Sequence, residues 1–181
     1  MSELPQELIS EEIDLVTRLL GKLEPGFLPY SIFTQITRLT TLTTIELVAL
    51  LDQSDSQIKV FLLQRSDNDD FWPGLWHVPG SVLLPTDTKD SYKDPLRRII
   101  TGDLNEVPLL VPPAYFRNHF RQEARGTMHA VQHWVLLKDV PTVGQLFPVD
   151  SLPEQIVPEH IETISIARNE YLKYYRGLIE F

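Results

Sequence analysis

Two histidines and a row of basic residues, set on neighbouring segments rich in branched and aromatic side chains, have types and spacing that can do chemistry. Over Tyr115–Arg121, strand alternation puts Arg117, His119 and Arg121 on one face and Phe116 and Phe120 on the other. Such a basic stripe binds phosphate if it faces a cleft and is a solvated surface if it does not; the aromatic face is the one expected to be buried. His129 and His133 also share a face, but four residues of strand separate them by roughly 13 Å, too far to chelate one metal together. Either can act as a lone general base, because imidazole titrates near neutrality, or can be a satisfied structural histidine. The chain has no cysteine. Disulfides, thiolate zinc sites and a cysteine nucleophile are therefore excluded, and any metal must be held by oxygen or by histidine nitrogen.

The elements that must position these groups follow from periodicity. Ser10, Glu11 and Glu12 start an amphipathic helix whose apolar residues Ile13, Val16, Leu19 and Leu20 recur at helical spacing, and Gly21 can close it. Glu24 to Tyr30 is a connector, followed by a short helix carrying Phe33 and Ile36. Thr43–Leu51 and Gln57–Gln64 read as core strands joined by a hairpin turn at Asp52 to Ser56. Trp76-His77-Val78-Pro79-Gly80 is a tightly constrained loop, and Asp94 before Pro95 has the form of an N-cap opening a helix to about Leu104, ended by Asn105. Tyr115–Glu123, Met128–Lys138 and Gln145–Val149 read as strands. A last helix starts near Pro158 with Ile161, Ile164, Ala167 and Tyr171 on one face.

With 181 residues and 43% hydrophobic content, the chain can bury one proper core. Lys plus Arg total 16 against 25 for Asp plus Glu, a net charge of -9 that repels a nucleic-acid backbone, so no duplex partner is expected. Met1 to Glu12 is acidic where a signal peptide needs a basic start, and no stretch stays apolar long enough to span a bilayer. The expected address is the cytoplasm, with no membrane partner. Nothing in the sequence shows a long exposed apolar stripe, which argues against a purely structural interaction domain.

Between Val60 and Asn105 the chain resembles the Nudix hydrolases, whose motif reads G-x5-E-x7-R-E-U-x-E-E-x-G-U, with U a bulky aliphatic residue. Trp76-His77-Val78-Pro79-Gly80-Ser81 is similar to the family's tryptophan-proline-glycine-glycine entry, with Ser81 at the second glycine. After five intervening residues comes Asp87 in place of glutamate, and the ten residues Thr88 to Arg97 replace the usual seven before Arg98. Arg98 to Asn105 then matches the second half of the motif. The resemblance spans roughly Thr43 to Ile166. It implies an α/β Nudix fold, a mixed β-sheet sandwiched between α-helices, with residues 1–40 as an N-terminal helical extension packed on a Nudix domain of residues 41–181.

In the family, three carboxylates on one helix face hold magnesium against a diphosphate. Residues 99, 102 and 103, at i, i+3 and i+4, share such a face, but here they are Ile99, Gly102 and Asp103. One carboxylate cannot by itself organise two or three metal ions. A narrower branch, which hydrolyses GDP-mannose, also lacks those two glutamates and uses a single magnesium; Arg98–Leu104 and His133-Trp134-Val135-Leu136-Leu137 look similar to it. The resemblance implies Asp87 and Asp103 as ligands of Mg or Mn. It also implies Arg65, at the end of a strand, as a bidentate phosphate contact beside Arg117 and Arg121. Arg98 is expected to be structural, and so is His160. The implied function is magnesium-dependent hydrolysis, reduced or narrow, of a nucleoside diphosphate linked to another group, by a monomer or a homodimer. The alternative is an inactive module that binds a nucleotide or nucleotide sugar. Gly102, costing about 1 kcal/mol in a helix relative to alanine, is most natural where a side chain must be absent.

Overall fold

A computed structural model describes residues 8–52, 57–88 and 92–179, with side chains to residue 174. The strands are β1 (Leu42–Asp52), β2 (Ile58–Gln64), β3 (Trp76–His77), β4 (Gly80–Val82), β5 (Leu109–Glu123), β6 (Gly126–Leu137) and β7 (Gln145–Pro148). The helices are α1 (Ser10–Leu20), α2 (Tyr30–Leu39), α3 (Lys93–Arg98) and α4 (Pro158–Ile179). The main sheet order is β3-β2-β1-β6-β5, with β4 paired to β1 and β7 to β2. β1 and β6 run parallel, Leu42 against Met128 through Leu50 against Leu136, while every other pair is antiparallel. The sheet is therefore mixed, as expected. The hairpin of β1 and β2 forms in the register Leu50 to Val60, although residues 53–56 of its turn lie outside the described residues.

β1 explains the layering. Its odd residues Ile45, Leu47 and Ala49 join Ile99, Leu104 and Val131 in one core, and its even residues Val48 and Leu50 join Trp134, Ile164 and Tyr171 in the other. A strand buried on both faces reads as a continuous apolar run rather than an alternation, and the α3 and α4 layers cover the two faces. The α4 face differs in one member from the expected one: Ile161 is 49% exposed, and His160 and Thr163 turn inward in its place beside Ile164, Ala167 and Tyr171. The inward set 160, 163, 164, 167, 171 follows the helical spacing better than 161 does.

Three further expectations are corrected. β5 begins at Leu109, six residues before Tyr115, and passes Pro112 and Pro113 through register shifts; proline is tolerated on an edge strand at bulges. A shift between Tyr115 and Arg117 places Arg117 against Gln132. The basic face is consequently the covered one, with the Arg121 side chain 7% exposed, whereas Phe120 is 67% exposed and stacks on His129 at 4.2 Å. Asp94 does not cap α3; it sits in the first turn, and its Oδ2 accepts the Thr88 backbone N–H at 2.7 Å.

α1 buries none of its residues, and Ile13, Val16, Leu19 and Leu20 remain exposed. An apolar stripe is thus present on the surface, contrary to the sequence reading. α2 is seated instead against the β5–β6 turn. There Gly126 has φ of 128°, and a Cβ added to it would lie 2.3 Å from the Thr37 carbonyl oxygen, a contact that only glycine permits.

Candidate functional site

α3 continues into one π turn, Ile99–Asp103, closed by the Leu104 N–H donating to the Ile99 carbonyl at 3.1 Å. Asn105 and Glu106 then end the helix with φ of 50° and 56°, the left-handed conformation that asparagine tolerates. The π turn gives each residue of the presumed metal face its own environment. Ile99 is sealed into the core at 1% exposure. A Cβ on Gly102 would meet nothing within 4 Å, so no protein group demands glycine there, contrary to the steric reading. Asp103 accepts the Gly80 N–H, and its carboxyl is held above the usual range by burial, which that hydrogen bond opposes.

Asp87 and Asp103 do not share a cavity. The Asp87 side chain is 4% exposed and is gripped by Arg98, whose Nη1 pairs with Oδ1 and whose Nη2 donates to Oδ2 at 3.0 Å. Asp87 Oδ2 also accepts the Leu84 N–H at 2.7 Å. These bonds, the Arg98 hydrogen bond foremost, hold its carboxyl below the ordinary range. Arg98 further donates to Ser81 Oγ at 3.2 Å and to the Val82 carbonyl at 2.8 Å. It is the brace that fastens α3 to β4, as expected.

Two cavities flank β4. The larger, about 690 Å³, lies between the connector before α2 and the start of the π turn, with Arg98, Ile99 and Asp103 among its walls. The smaller, about 80 Å³, is polar and opens on the α4 side of the sheet, lined by residues that include Thr44, Glu46, Arg65, Trp72, His77, Arg121, Arg125 and His160. Gly80, Ser81 and Val82 line both.

The polar cavity is built on Glu46, a lone carboxylate in the middle of a buried strand. Burial alone would raise its pKa, but His160 and Arg121 overcome that and hold it well below the usual range. Arg121 pairs with both its oxygens, Gln132 Nε2 donates to Oε2 at 2.7 Å, and His160 Nε2 stands 3.6 Å from Oε1. His160 Nδ1 accepts the Val78 N–H at 3.2 Å, which fixes the other nitrogen as the one carrying hydrogen toward Glu46 and ties the Pro79-Gly80 loop to α4. His77 donates from Nδ1 to the Val78 carbonyl at 2.8 Å. Burial, followed by the charge of Arg65, lowers its pKa to about 4.

Beyond Glu46, two guanidinium groups approach the Trp72 ring, with Arg65 Cζ 5.0 Å and Arg125 Cζ 5.1 Å from its centroid. Asp69 organises this loop: its Oδ1 accepts the Phe71 and Trp72 N–H groups at 3.0 and 2.9 Å, and its Oδ2 pairs with Arg65 Nη1 at 2.8 Å. Arg65 Nε, Arg125 Nε and Thr44 Oγ1 are buried and have no hydrogen-bond partner among the described residues, although Arg125 Nε stands 3.4 Å from Glu123 Oε2 as an ion pair.

The sequence-derived candidates thus separate. Arg65 and Arg121 meet in the polar cavity, with Arg121 committed to Glu46 and Glu123. Arg117 stands apart, bonded to Gln132 at 2.6 Å, His119 at 2.9 Å and Glu162 at 3.3 Å. His129 and His133 are on the opposite face of the sheet, away from both cavities; His133 sits between the rings of Tyr92 and Tyr115. Sequence reasoning passed over Glu46, Trp72, His77 and Arg125. Glu46 had a usable signal, since a charged residue inside a run of buried apolar ones requires a buried partner.

Solved structures with this architecture include a mutT/nudix family protein from Listeria innocua, at 15% identity and TM-score 0.61, covering 75% of this chain and 98% of that one. The fold is the Nudix fold. The Nudix domain of Shewanella oneidensis NrtR, solved in complex with ADP ribose, has TM-score 0.57 at 20% identity and covers 86% of this chain and 97% of that one. NrtR in complex with a 27mer DNA has TM-score 0.58 at 21% identity over 72% of this chain and 62% of that one. No family model and no curated protein matches the sequence.

Magnesium, the metal this Nudix fold generally works with, fits the residues poorly. Asp87 is spent on Arg98 and Glu46 on Arg121, Gln132 and His160, which leaves Asp103 as the only uncommitted carboxylate of the three. Among the described residues no three His, Asp or Glu side chains come together as a metal would need.

Proposed function

We propose that this chain is a Nudix-fold module that binds an anionic small molecule of the nucleoside diphosphate class with a phosphate group seated in the polar cavity and the rest of the molecule outside it, with hydrolysis slow or absent. One observation carries the reading: beside a cavity of about 80 Å³ at Trp72, the buried Arg65 Nε–H has no hydrogen-bond acceptor among the described residues, and Arg125 Nε meets only Glu123 Oε2, at 3.4 Å and outside hydrogen-bond geometry. Leaving buried donors unsatisfied costs about 1–3 kcal/mol each, and a phosphate oxygen would recover that cost with a charge-assisted bond. Burial disfavours the charge of Arg125, and a bound anion reverses that penalty. A protein with net charge -9 that concentrates arginines at one cavity selects small anions over a nucleic-acid backbone. No described helix is long and apolar enough to cross a membrane, in keeping with the cytoplasmic address we propose.

The test is a calorimetric titration with ADP-ribose, the ligand of the NrtR domain, using wild type, Arg65→Gln and Arg125→Gln. Saturable binding that weakens about tenfold in each variant, one charge-assisted contact apiece, is expected. Titrations that are identical in all three proteins would sink the assignment. A second reading, residual magnesium-dependent turnover, rests on Asp103, whose carboxylate faces the larger cavity beside Gly80. A phosphate-release assay with magnesium on wild type and Asp103→Asn addresses it: activity that disappears in the variant supports turnover, and none in wild type leaves the binding module.

A further inference from the structure

The larger cavity has the opposite chemistry from the polar one. Its volume, about 690 Å³, lies within the range of small-molecule sites. Its walls are mostly apolar: Phe27 and Phe33 from the N-terminal segment line it with Leu83, Leu84 and Pro85, and the Phe27 ring centroid lies 6.0 Å from Arg98 Cζ. Arg98 is the one cation in its lining, and that guanidinium is engaged by Asp87, Ser81 and the Val82 carbonyl. Two carboxylates, Glu24 and Asp103, complete the charged lining, so the field inside the cavity is negative. Asp103 accepts one backbone N–H, from Gly80, and a carboxylate has room for further donors. Apolar walls and a negative interior reject phosphates.

We propose that this cavity binds a small molecule with a flat apolar body and a cationic amino or amidino group, the body lying against Phe27 and Phe33 and the cation at Asp103. The site is a product of the N-terminal segment, because Phe27 and Phe33 supply its aromatic lining. It does not depend on the polar cavity, and ADP-ribose binding there neither supports nor undermines it.

Two matched probes decide the matter in full-length protein: 1-naphthylmethylamine, cationic at neutral pH, and 1-naphthaleneacetate, anionic with the same ring. Calorimetry is expected to show saturable one-to-one binding of the amine, about tenfold tighter than the acid, from one favourable charge contact in a partly desolvated site. Asp103→Asn is expected to erase the preference between the probes. Phe27→Ala, at a side chain 72% exposed and therefore safe for folding, is expected to weaken the amine several-fold. Equal affinities in wild type, no binding of the amine, or a preference that survives Asp103→Asn would each overturn the proposal.

Discussion

Replacing His77 by Asn tests how a buried imidazole makes the fold sensitive to acid. Asn can still donate to the Val78 carbonyl, the bond that His77 makes from Nδ1 at 2.8 Å, but it cannot take up a proton. The folded-state pKa of His77 is lowered to about 4, by burial first and by Arg65 next. In the unfolded chain it returns to about 6.5. Between those values the unfolded state binds more protons than the folded one, so stability rises with pH across the window and is lost as pH falls through it. The full difference is about 3 kcal/mol, of which about 2 kcal/mol is lost between pH 7 and pH 5. Urea unfolding of wild type and His77→Asn at pH 7, 6 and 5 isolates this term, because the other groups titrate equally in both proteins. The stability gap between the two should shift in favour of the variant by about 2 kcal/mol over that range. Parallel pH dependences would show that His77 is not held neutral by burial.

Glu46→Leu leaves Arg121 buried with Glu123 alone and takes from Gln132 Nε2 one of its two acceptors, leaving Thr163 Oγ1, and should cost about 3 kcal/mol or more in urea unfolding. Gly102→Ala fills open space within the π turn, at a residue without a positive φ, and should raise stability by about 0.4–1 kcal/mol, measured the same way. Arg98→Ala removes the cation from the covered Asp87 carboxylate and should cost about 2 kcal/mol, with hydrogen exchange rising at β4. Arg117→Gln, outside both cavities, should leave ADP-ribose binding within about twofold of wild type by calorimetry.

The mixed sheet and its long strands were legible because β1, β2 and β6 are runs of buried apolar residues bounded by polar turns, and α4 carries an inward face of which only Ile161 was misplaced. What escaped the sequence was set by neighbours distant in the chain. A bulge at Phe116 decided which face of β5 is covered, and proline residues concealed the strand's first half. The motif register located Arg98 and Asp103 correctly beside Gly80, yet it could not show that Arg98 takes both oxygens of Asp87. Arg65 was found as the residue ending a strand, whereas Arg125 read as part of a turn. Only the structure brings both of them to Trp72. Local pattern reports periodicity; it is silent on which charges find each other across the sheet.

The three residues Gly80–Val82 are a partition with a different kind of chamber on each side, one polar and close to Glu46, one apolar and close to Asp103. The partition is pinned from both directions, by Arg98 from α3 and, through Val78, by His160 from α4. A molecule pressing on either side therefore leans on the same short stretch of backbone. If filling one chamber alters the affinity of the other, thermodynamic reciprocity makes the factor equal in both directions. Were both proposed ligands bound, two dissimilar molecules would be weighed against each other across a single strand.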